Sequence, residues 1–250
     1  MPSFSREGVR LSYASRGAGE PVVLLHGFTS LGGSWERHGW VAALVEQGFR
    51  AIWPDARSHG GSDRVFDLAL CTTAALAADV VGLLDHLEIE RASLVGFSMG
   101  GGTALRAALD TPRRVDRLVV GGVGDAGING LHNEDETTEL RDAFSGAAEP
   151  REGGIASRVR RNAELAGNDL HALLPLLEQG GWPAGLTDVS PLRVPALVIV
   201  GGADEYMPRA ETLLEALSPA EVVRLSGLAH HQFMGDVSVR QEALRFLAQP

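Results

Sequence analysis

The sequence predicts an α/β protein with a doubly wound, mostly parallel sheet of about eight strands and a small helical lid. Short runs rich in Val, Ile and Leu alternate with longer segments of helical periodicity, and one long segment interrupts this alternation. Runs of this kind are typical of strands that are buried on both faces of a parallel sheet. The predicted buried strands are 22–25, 50–53, 93–95, 117–120, 196–200 and 222–225.

Helical periodicity separates these strands and gives a succession of βαβ units with right-handed crossovers. The predicted helices are 34–46, 73–87, 99–109, 210–217 and 237–247. The opening segment 4–15 alternates around Glu7-Gly8, which indicates an antiparallel hairpin at the edge of the sheet. Two hairpin strands and six buried runs account for the predicted sheet.

Residues 126–191 contain no strand run and consist of charged helical pieces separated by glycines. A structureless connection of this length would be unusual in a compact domain. We therefore expect a helical lid over the sheet, inserted between a first part of the core at 1–125 and a second part at 192–250.

The composition excludes some classes of binding partner and indicates the cellular compartment. The 250 residues carry a formal net charge of −10, which argues against nucleic acid or an anionic membrane surface as a partner. The single cysteine, Cys71, cannot form an intrachain disulfide, and the first residues lack the apolar stretch of a signal peptide. We expect a cytoplasmic protein in which Cys71 is a buried small hydrophobe, and homo-oligomerisation is left open.

The segment Gly96-Phe97-Ser98-Met99-Gly100 has the pattern of a nucleophile elbow. An apolar run, 92–95, leads directly into it and a helix rich in Gly and Ala leaves it. A serine in such a corner adopts a strained backbone angle, and a Cβ two positions before or after it would collide with the neighbouring strand and helix. Ser98 is therefore a candidate nucleophile.

Polar residues follow each predicted buried strand, at the edge of the sheet where doubly wound proteins bind ligands. In strand order they are His26-Gly27-Phe28-Thr29, Asp55 with Arg57 to Gly60, Ser98, Asp125, Asp204, and His230-His231. A serine hydroxyl needs a histidine to remove its proton, and that histidine needs a buried acid to hold its tautomer. Serine, acid and histidine are available in the order Ser98, Asp204, His230.

These motifs resemble those of the α/β-hydrolase family over nearly the whole chain. The matching stretches are His26-Gly27-Phe28, Asp55 to Ser62, Gly96 to Gly101, Gly201-Gly202-Ala203-Asp204 with Pro208, and Gly227-Leu228-Ala229-His230. The resemblance implies that Ser98 is the nucleophile, His230 the general base and then acid, and Asp204 the acid that orients the imidazole. It further implies an oxyanion hole formed by the backbone N–H groups of Phe28 and Met99, whose side chains are then available to line the acyl pocket.

Two assignments have competitors in the sequence. Asp125 follows the strand before Asp204 and is an alternative acid, in which case Asp204 would cap the helix after Pro208. His231 competes with His230, although the spacing after Gly227 in the family favours His230.

Other residues suited to chemistry receive structural interpretations. His26 and His59 are interpreted as structural hydrogen bonders, since neither follows a strand in the position that the base requires. No Cys/His/Asp cluster has metal-ligand spacing, and 96–102 lacks the Lys-Ser/Thr of a phosphate-binding loop. Neither a cofactor nor a metal is implied.

The predicted function is hydrolysis of a small or medium acyl substrate, an ester or a related lactone, thioester or C–C substrate. A serine at the elbow argues against the haloalkane dehalogenases and epoxide hydrolases of this fold, which use a carboxylate there. The elbow also looks like that of cofactor-free haloperoxidases and perhydrolases, although Thr29 stands where those relatives often carry proline. A receptor that binds ligand without turnover is the third alternative. Among the lid residues, Arg158, Arg160 or Arg161 would favour an acidic substrate only if one of them faces the pocket.

Overall fold

The computed structural model describes residues 1–125, 134–179, 192–207, 209–217 and 219–249. These residues form one eight-stranded sheet in the order β1-β2-β4-β3-β5-β6-β7-β8. The strands are β1 Ser3–Arg6, β2 Val9–Arg16, β3 Pro21–Leu25, β4 Arg50–Pro54, β5 Ala92–Phe97, β6 Val115–Gly121, β7 Ala196–Gly201 and β8 Glu221–Leu225. The predicted doubly wound α/β class is confirmed.

Strands β3 to β8 pair in parallel, and the first two strands form the predicted edge hairpin. The hairpin turns at Glu7 and Gly8, which both have positive φ, 51° and 78°. Strand β2 then pairs antiparallel with β4, in the register Tyr13 to Pro54. All six parallel strands therefore end at the same edge, where the predicted polar residues lie.

Within the described residues the α-helices are α1 Gly33–Arg37, α2 Trp40–Glu46, α3 Thr73–His86, α4 Met99–Asp110, α5 Glu134–Ser145, α6 Ile155–Leu165, α7 Leu170–Glu178, α8 Glu211–Ala216 and α9 Val237–Leu247. The prediction of one helix over 34–46 is wrong. Gly39 has φ 78°, a left-handed conformation that ends α1 and starts α2 in a new direction. Within the part of the chain described here, no helix has the length and apolar character needed to cross a membrane.

Each face of the sheet carries its own apolar core, because successive side chains of a buried strand point to opposite faces. In β3, Val22 and Leu24 pack with Trp35 and Trp40 of α1 and α2, and with α9. Val23 and the other alternate residues pack with α3, α4 and α8 on the opposite face. The alternation explains why the strand reads as continuously hydrophobic in sequence.

Helices α5, α6 and α7 belong to the segment predicted as a lid, and they pack against one another. Phe144 of α5 stacks on Phe28, with ring centroids 5.8 Å apart, and Asn168 Nδ2 donates to the carbonyl oxygen of Thr29 at 3.4 Å. The segment thus lies against the loop after β3. Residues 126–133 and 180–191 fall outside the described residues, and the lid boundaries stay a prediction.

Candidate active site

Ser98 occupies a sharp turn between β5 and α4. Its backbone has φ 53° and ψ −119°, a region that residues with a Cβ rarely adopt. A Cβ on Gly96 would overlap the carbonyl oxygen of Gly100, and one on Gly100 would overlap that of Leu25. The two glycines are therefore required by close backbone approach, as the elbow pattern predicted.

The structure brings Ser98, His230 and Asp204 together in a line of hydrogen bonds. Ser98 Oγ lies 3.0 Å from His230 Nε2, and His230 Nδ1 lies 2.9 Å from Asp204 Oδ2 and 3.0 Å from Oδ1. Because a carboxylate only accepts, Nδ1 carries the proton and Nε2 presents its lone pair to the serine hydroxyl. Ser98 and Asp204 are both 4% exposed and His230 is 8% exposed.

Asp204 is fixed by its own turn as well as by the histidine. Its Oδ1 accepts the backbone N–H groups of Tyr206 at 3.0 Å and Met207 at 2.9 Å. Asp125 has a different environment, because its Oδ1 accepts the N–H of Leu213 in the first turn of α8 at 3.0 Å. The capping role that the sequence left open for Asp204 is thus filled by Asp125.

The two adjacent histidines have different surroundings. The ring of His230 lies between Phe97 and Tyr206, with centroid distances of 5.0 Å and 4.7 Å. His231 is exposed on the wall of the cleft in front of Ser98. Of the pair, His230 has the geometry of a base toward Ser98.

The loop after β3 approaches the elbow closely. A Cβ on Gly27 would lie 3.5 Å from Cβ of Ser98, and the Gly27 carbonyl oxygen accepts from His26 Nδ1 at 2.8 Å and from the Ser30 N–H at 3.0 Å. In a trans peptide the N–H points opposite to the C=O, so the Phe28 N–H points away from these two donors.

The second predicted donor belongs to Met99, the first residue of α4. The first N–H groups of a helix have no partner within the helix, so this amide is suited to a ligand oxygen. The side-chain expectation is correct for Phe28, which lines the cleft, and wrong for Met99. The Met99 side chain instead packs in the core, beside a small cavity of about 40 Å³ that Leu25 and Thr103 also line, because the helix turns it inward.

Two buried histidines support the loop, as their structural interpretation predicted. His26 Nε2 accepts the Ala56 N–H at 3.0 Å, and His59 presents Nδ1 to the Arg57 carbonyl at 2.8 Å and Nε2 to the Phe28 carbonyl. Burial lowers the pKa of His26, and burial together with the neighbouring His26 ring lowers the pKa of His59 to about 4. Both rings are therefore neutral near pH 7 and carry one N–H each, so His59 donates to only one of its two neighbouring carbonyl oxygens at a time.

The loop after β4 is held by a buried ion pair that the sequence analysis did not identify. Arg57 is fully buried and bonds Asp79 of α3 through Nε at 2.5 Å and Nη2 at 2.7 Å. Its Nη1 donates to the Leu70 carbonyl oxygen at 2.8 Å. The guanidinium therefore ties together three segments below His59.

A cleft of about 410 Å³ opens in front of Ser98, within the size range of small-molecule sites. Besides Phe97 of the elbow, its described wall contains residues that the sequence did not single out: Ser30, Ser34, Arg37, His38, Val159, Asn162, Leu165, Ala166, Tyr206 and Met234. They come from α1, α6 and several loops, and no periodicity in the sequence links them.

The three lid arginines are not part of the described cleft wall. Arg158 pairs with Glu205 at 3.8 Å, and Arg160 pairs with Glu149 and Glu164. Arg161 is exposed on α6. The condition under which these side chains would favour an acidic substrate is therefore not met.

Comparison with known proteins identifies the family of the chain. A sequence profile described as alpha/beta hydrolase fold matches residues 20–146, which is more than half of the chain. The chain belongs to the α/β-hydrolase fold family. The match covers the elbow, the loop after β3 and the first part of the lid segment, and the resemblance inferred from the motifs is confirmed.

Individual relatives are similar over shorter stretches. An epoxide hydrolase of Caballeronia sordidicola is 39% identical over 111 residues, which cover 44% of this chain and 33% of that protein. A 2-hydroxymuconate semialdehyde hydrolase of Pseudomonas sp. (strain CF600) is 38% identical over 132 residues, 51% of this chain and 46% of that protein. The matched region thus spans less than half the length of these curated relatives. A solved bromoperoxidase from Bacillus anthracis is 26% identical with a TM-score of 0.73, and 96% of each chain is covered.

Proposed function

We propose that this protein is a serine hydrolase that cleaves a small or medium ester, or a related lactone or thioester, through an acyl-enzyme intermediate. The observation that carries the proposal is the hydrogen-bonded line from Asp204 through His230 to Ser98, at a strained elbow that faces a cleft. Named relatives that are hydrolases support the same reaction class.

In the acylation step, Ser98 Oγ attacks the carbonyl carbon while its proton passes to His230 Nε2. Asp204 stabilises the imidazolium that forms and holds the Nδ1 proton in place. The oxyanion accepts the N–H groups of Phe28 and Met99, an arrangement that contributes about 3–4 kcal/mol per donor in comparable enzymes. His230 then gives its proton to the leaving oxygen or sulfur, and the acyl group stays on Ser98 as an ester.

The deacylation step reverses these roles with water as the nucleophile. His230 removes a proton from a water in the cleft, and the hydroxide equivalent attacks the acyl carbon. The second tetrahedral intermediate collapses, the carboxylic acid product forms, and Ser98 recovers its proton. Every proton transfer in the cycle involves the same histidine nitrogen.

The serine at the elbow bears on which bond is cleaved. Attack of Ser98 on an epoxide would give an alkyl ether, which the same histidine and water do not hydrolyse, whereas attack on an acyl carbon gives an ester that they do. An acyl substrate is therefore favoured over an epoxide, although epoxide hydrolases are among the similar proteins.

Perhydrolysis is a second candidate, favoured by the similarity to the bromoperoxidase structure. Hydrogen peroxide would replace water in the second step, attack the acyl-enzyme and leave as a peracid, and the serine would be regenerated. Thr29 stands where such relatives often carry proline, and it lines the same cleft as Ser98.

The test is turnover of 4-nitrophenyl esters from acetate to octanoate by the wild type and Ser98→Ala. We expect turnover by the wild type and a loss of at least ~10³-fold in kcat for the variant. Peracid formed from an ester and hydrogen peroxide would establish the second candidate. Ligand binding without turnover of esters, lactones and thioesters would favour a receptor and contradict the proposal.

A further inference from the structure

We propose that the cleft contains a subsite for a carboxylate, centred on Arg37, so that the substrate carries a negative charge away from the bond that is cleaved. This inference rests on the proposed function and deepens it, because it names a substrate class: acyl compounds with a second, ionised carboxyl group. It concerns residues that the sequence motifs did not include.

The charge of the cleft differs from that of the whole protein. The chain has 32 acidic against 22 basic residues, yet the described wall of the cleft contains no Asp or Glu. Arg37 is the charged side chain of the same described wall, which also contains His38, His230 and His231 as polar groups. A cleft lined with one sign of charge focuses the field and concentrates ligands of the opposite sign.

Arg37 is held against the cleft by Ser34, which in turn bonds Ser30, and both serines belong to the cleft wall. Its Nη2 donates to Ser34 Oγ at 2.8 Å, and Ser30 Oγ donates to the same oxygen at 3.0 Å. Ser34 is 5% exposed, so the guanidinium is tethered to a nearly buried hydroxyl. Such a tether lowers the conformational entropy that a free surface arginine would lose on binding.

Arg37 has no acidic partner among the residues that the structure describes. Its neighbour Glu36 is engaged elsewhere, in an ion pair with Arg16. Two of the three lid arginines differ in this respect, since Arg158 and Arg160 have carboxylate partners. A guanidinium that is positioned but not neutralised, on the wall of a substrate cleft, is suited to an anionic ligand.

A carboxylate fits this position better than a bulkier anion. Ser34 occupies one edge of the guanidinium, and the planar fork that remains matches two oxygens of a carboxylate in a bidentate arrangement. His38, the next residue along the chain, lines the same wall and offers a further donor.

The experiment compares two esters of equal acyl length, 4-nitrophenyl hexanoate and the mono-4-nitrophenyl ester of adipic acid, which differ only in the terminal methyl or carboxylate. The readout is the ratio of kcat/KM for the adipate ester to that for the hexanoate ester. We expect the wild type to prefer the adipate ester, and Arg37→Gln to lower the ratio about tenfold, mainly through KM. Gln removes the charge and keeps a polar side chain at this position.

Arg161→Gln is the matched control, since it removes one positive charge from an exposed position outside the described cleft wall. Its ratio should equal that of the wild type. An equal ratio in Arg37→Gln and the wild type, with Ser98-dependent hydrolysis of both esters intact, would overturn the subsite and leave the proposed function standing. Absence of Ser98-dependent hydrolysis of either ester would overturn both.

Competition identifies the anion. Glutarate should inhibit hydrolysis of the hexanoate ester by the wild type more strongly than inorganic phosphate does, and Arg37→Gln should lose that inhibition. Stronger inhibition by phosphate would contradict the carboxylate assignment and indicate phosphorylated substrates instead.

Discussion

At the scale of residues, the position of the Ser98 hydroxyl depends on a strained backbone conformation and on the few residues that enforce it. Its backbone conformation, φ 53° and ψ −119°, costs on the order of 1–3 kcal/mol and persists only because the surroundings enforce it. The N–H of Ser98 donates to the Gly121 carbonyl oxygen at 2.9 Å, and Gly96 and Gly100 permit the close approach of strand and helix. The strain keeps the hydroxyl at the cleft instead of inside the helix.

The acid is tested by comparing two conservative substitutions. Asp204→Asn should lower kcat by on the order of 10⁴-fold, because an amide offers the wrong hydrogen-bond polarity to His230 Nδ1–H. Asp125→Asn should have a much smaller effect, since Asp125 caps α8 and does not face the histidine. The measurement is ester hydrolysis by the two purified variants. If the Asp125 variant were the inactive one, the acid assignment would be wrong.

The adjacent histidines give a second comparison. His230→Ala should lose at least ~10³-fold in kcat, since no other described group lies within hydrogen-bond reach of Ser98 Oγ in its place. His231→Ala should retain the rate and the pH profile of the wild type, because His230 is the histidine that bonds Ser98 Oγ. Rates measured from pH 5 to 9 decide this. An inactive His231→Ala beside an active His230→Ala would reverse the assignment.

Sequence reasoning identified the residues that follow strands and missed those that line the cleft from elsewhere. Ser98, Asp204 and His230 could be found because a parallel sheet brings strand ends to one edge. Arg37 and Tyr206 carry no such signal, since they lie at a helix end and in a turn. The direction of the Met99 side chain could not be predicted either, because it depends on how α4 packs on β3.

At the scale of elements, the alternation of strand and helix was sufficient to predict the strands, while the break between α1 and α2 was missed. Helical periodicity continues through 34–46, but Gly39 adopts φ 78° and redirects the chain. The break has a functional consequence, because Arg37 and His38 stand at the end of α1 on the cleft wall. The loop after β4 is likewise decided by a partner distant in sequence, Asp79.

The buried ion pair predicts a large stability effect. Asp79→Asn leaves the guanidinium of Arg57 buried without its carboxylate, and breaking such a pair costs about 3–5 kcal/mol. Glu7 lies 3.3 Å from Arg57 and offsets only a part of this loss in the free energy of unfolding, because its side chain is half exposed. Urea unfolding measures the change. Asp110→Asn, in the exposed pair with Arg106, is the control and should cost less than about 1 kcal/mol. Equal losses in the two variants would contradict a structural role for the Arg57 pair.

At the scale of the whole molecule, a sheet that is buried on both faces places its polar groups at one edge. The neutral histidines His26 and His59 belong to the loops at this edge. His59 is fully buried and its pKa of about 4 lies below the ordinary value of 6.5. Between these two pH values the unfolded chain takes up a proton that the folded protein does not. The stability that His59 contributes is therefore complete above pH 6.5 and is lost as the pH falls toward 4.

Between pH 6.5 and pH 4, the protonation of His59 in the unfolded chain should lower the free energy of unfolding by about 3 kcal/mol, at 1.36 kcal/mol per pKa unit. Urea unfolding across this range should show a weaker pH dependence in His59→Gln than in the wild type. His171→Gln, at an exposed position on α7, should keep the slope of the wild type. Should His59→Gln fail to fold, the ring resonances of His59 in the wild type should still report a neutral imidazole at pH 5. A charged ring at that pH would contradict the account.

Three expectations stay predictions: the oligomeric state, the cellular compartment and the absence of a cofactor or metal. The acyl-enzyme on Ser98 can be measured directly. The wild type and Ser98→Ala are treated with a fluorophosphonate, and the adduct is located by tandem mass spectrometry of the digested protein. We predict one adduct per chain on Ser98, loss of 4-nitrophenyl ester hydrolysis in proportion to labelling, and no adduct on the variant. An adduct on another residue, or hydrolysis that survives complete labelling of Ser98, would contradict the claim.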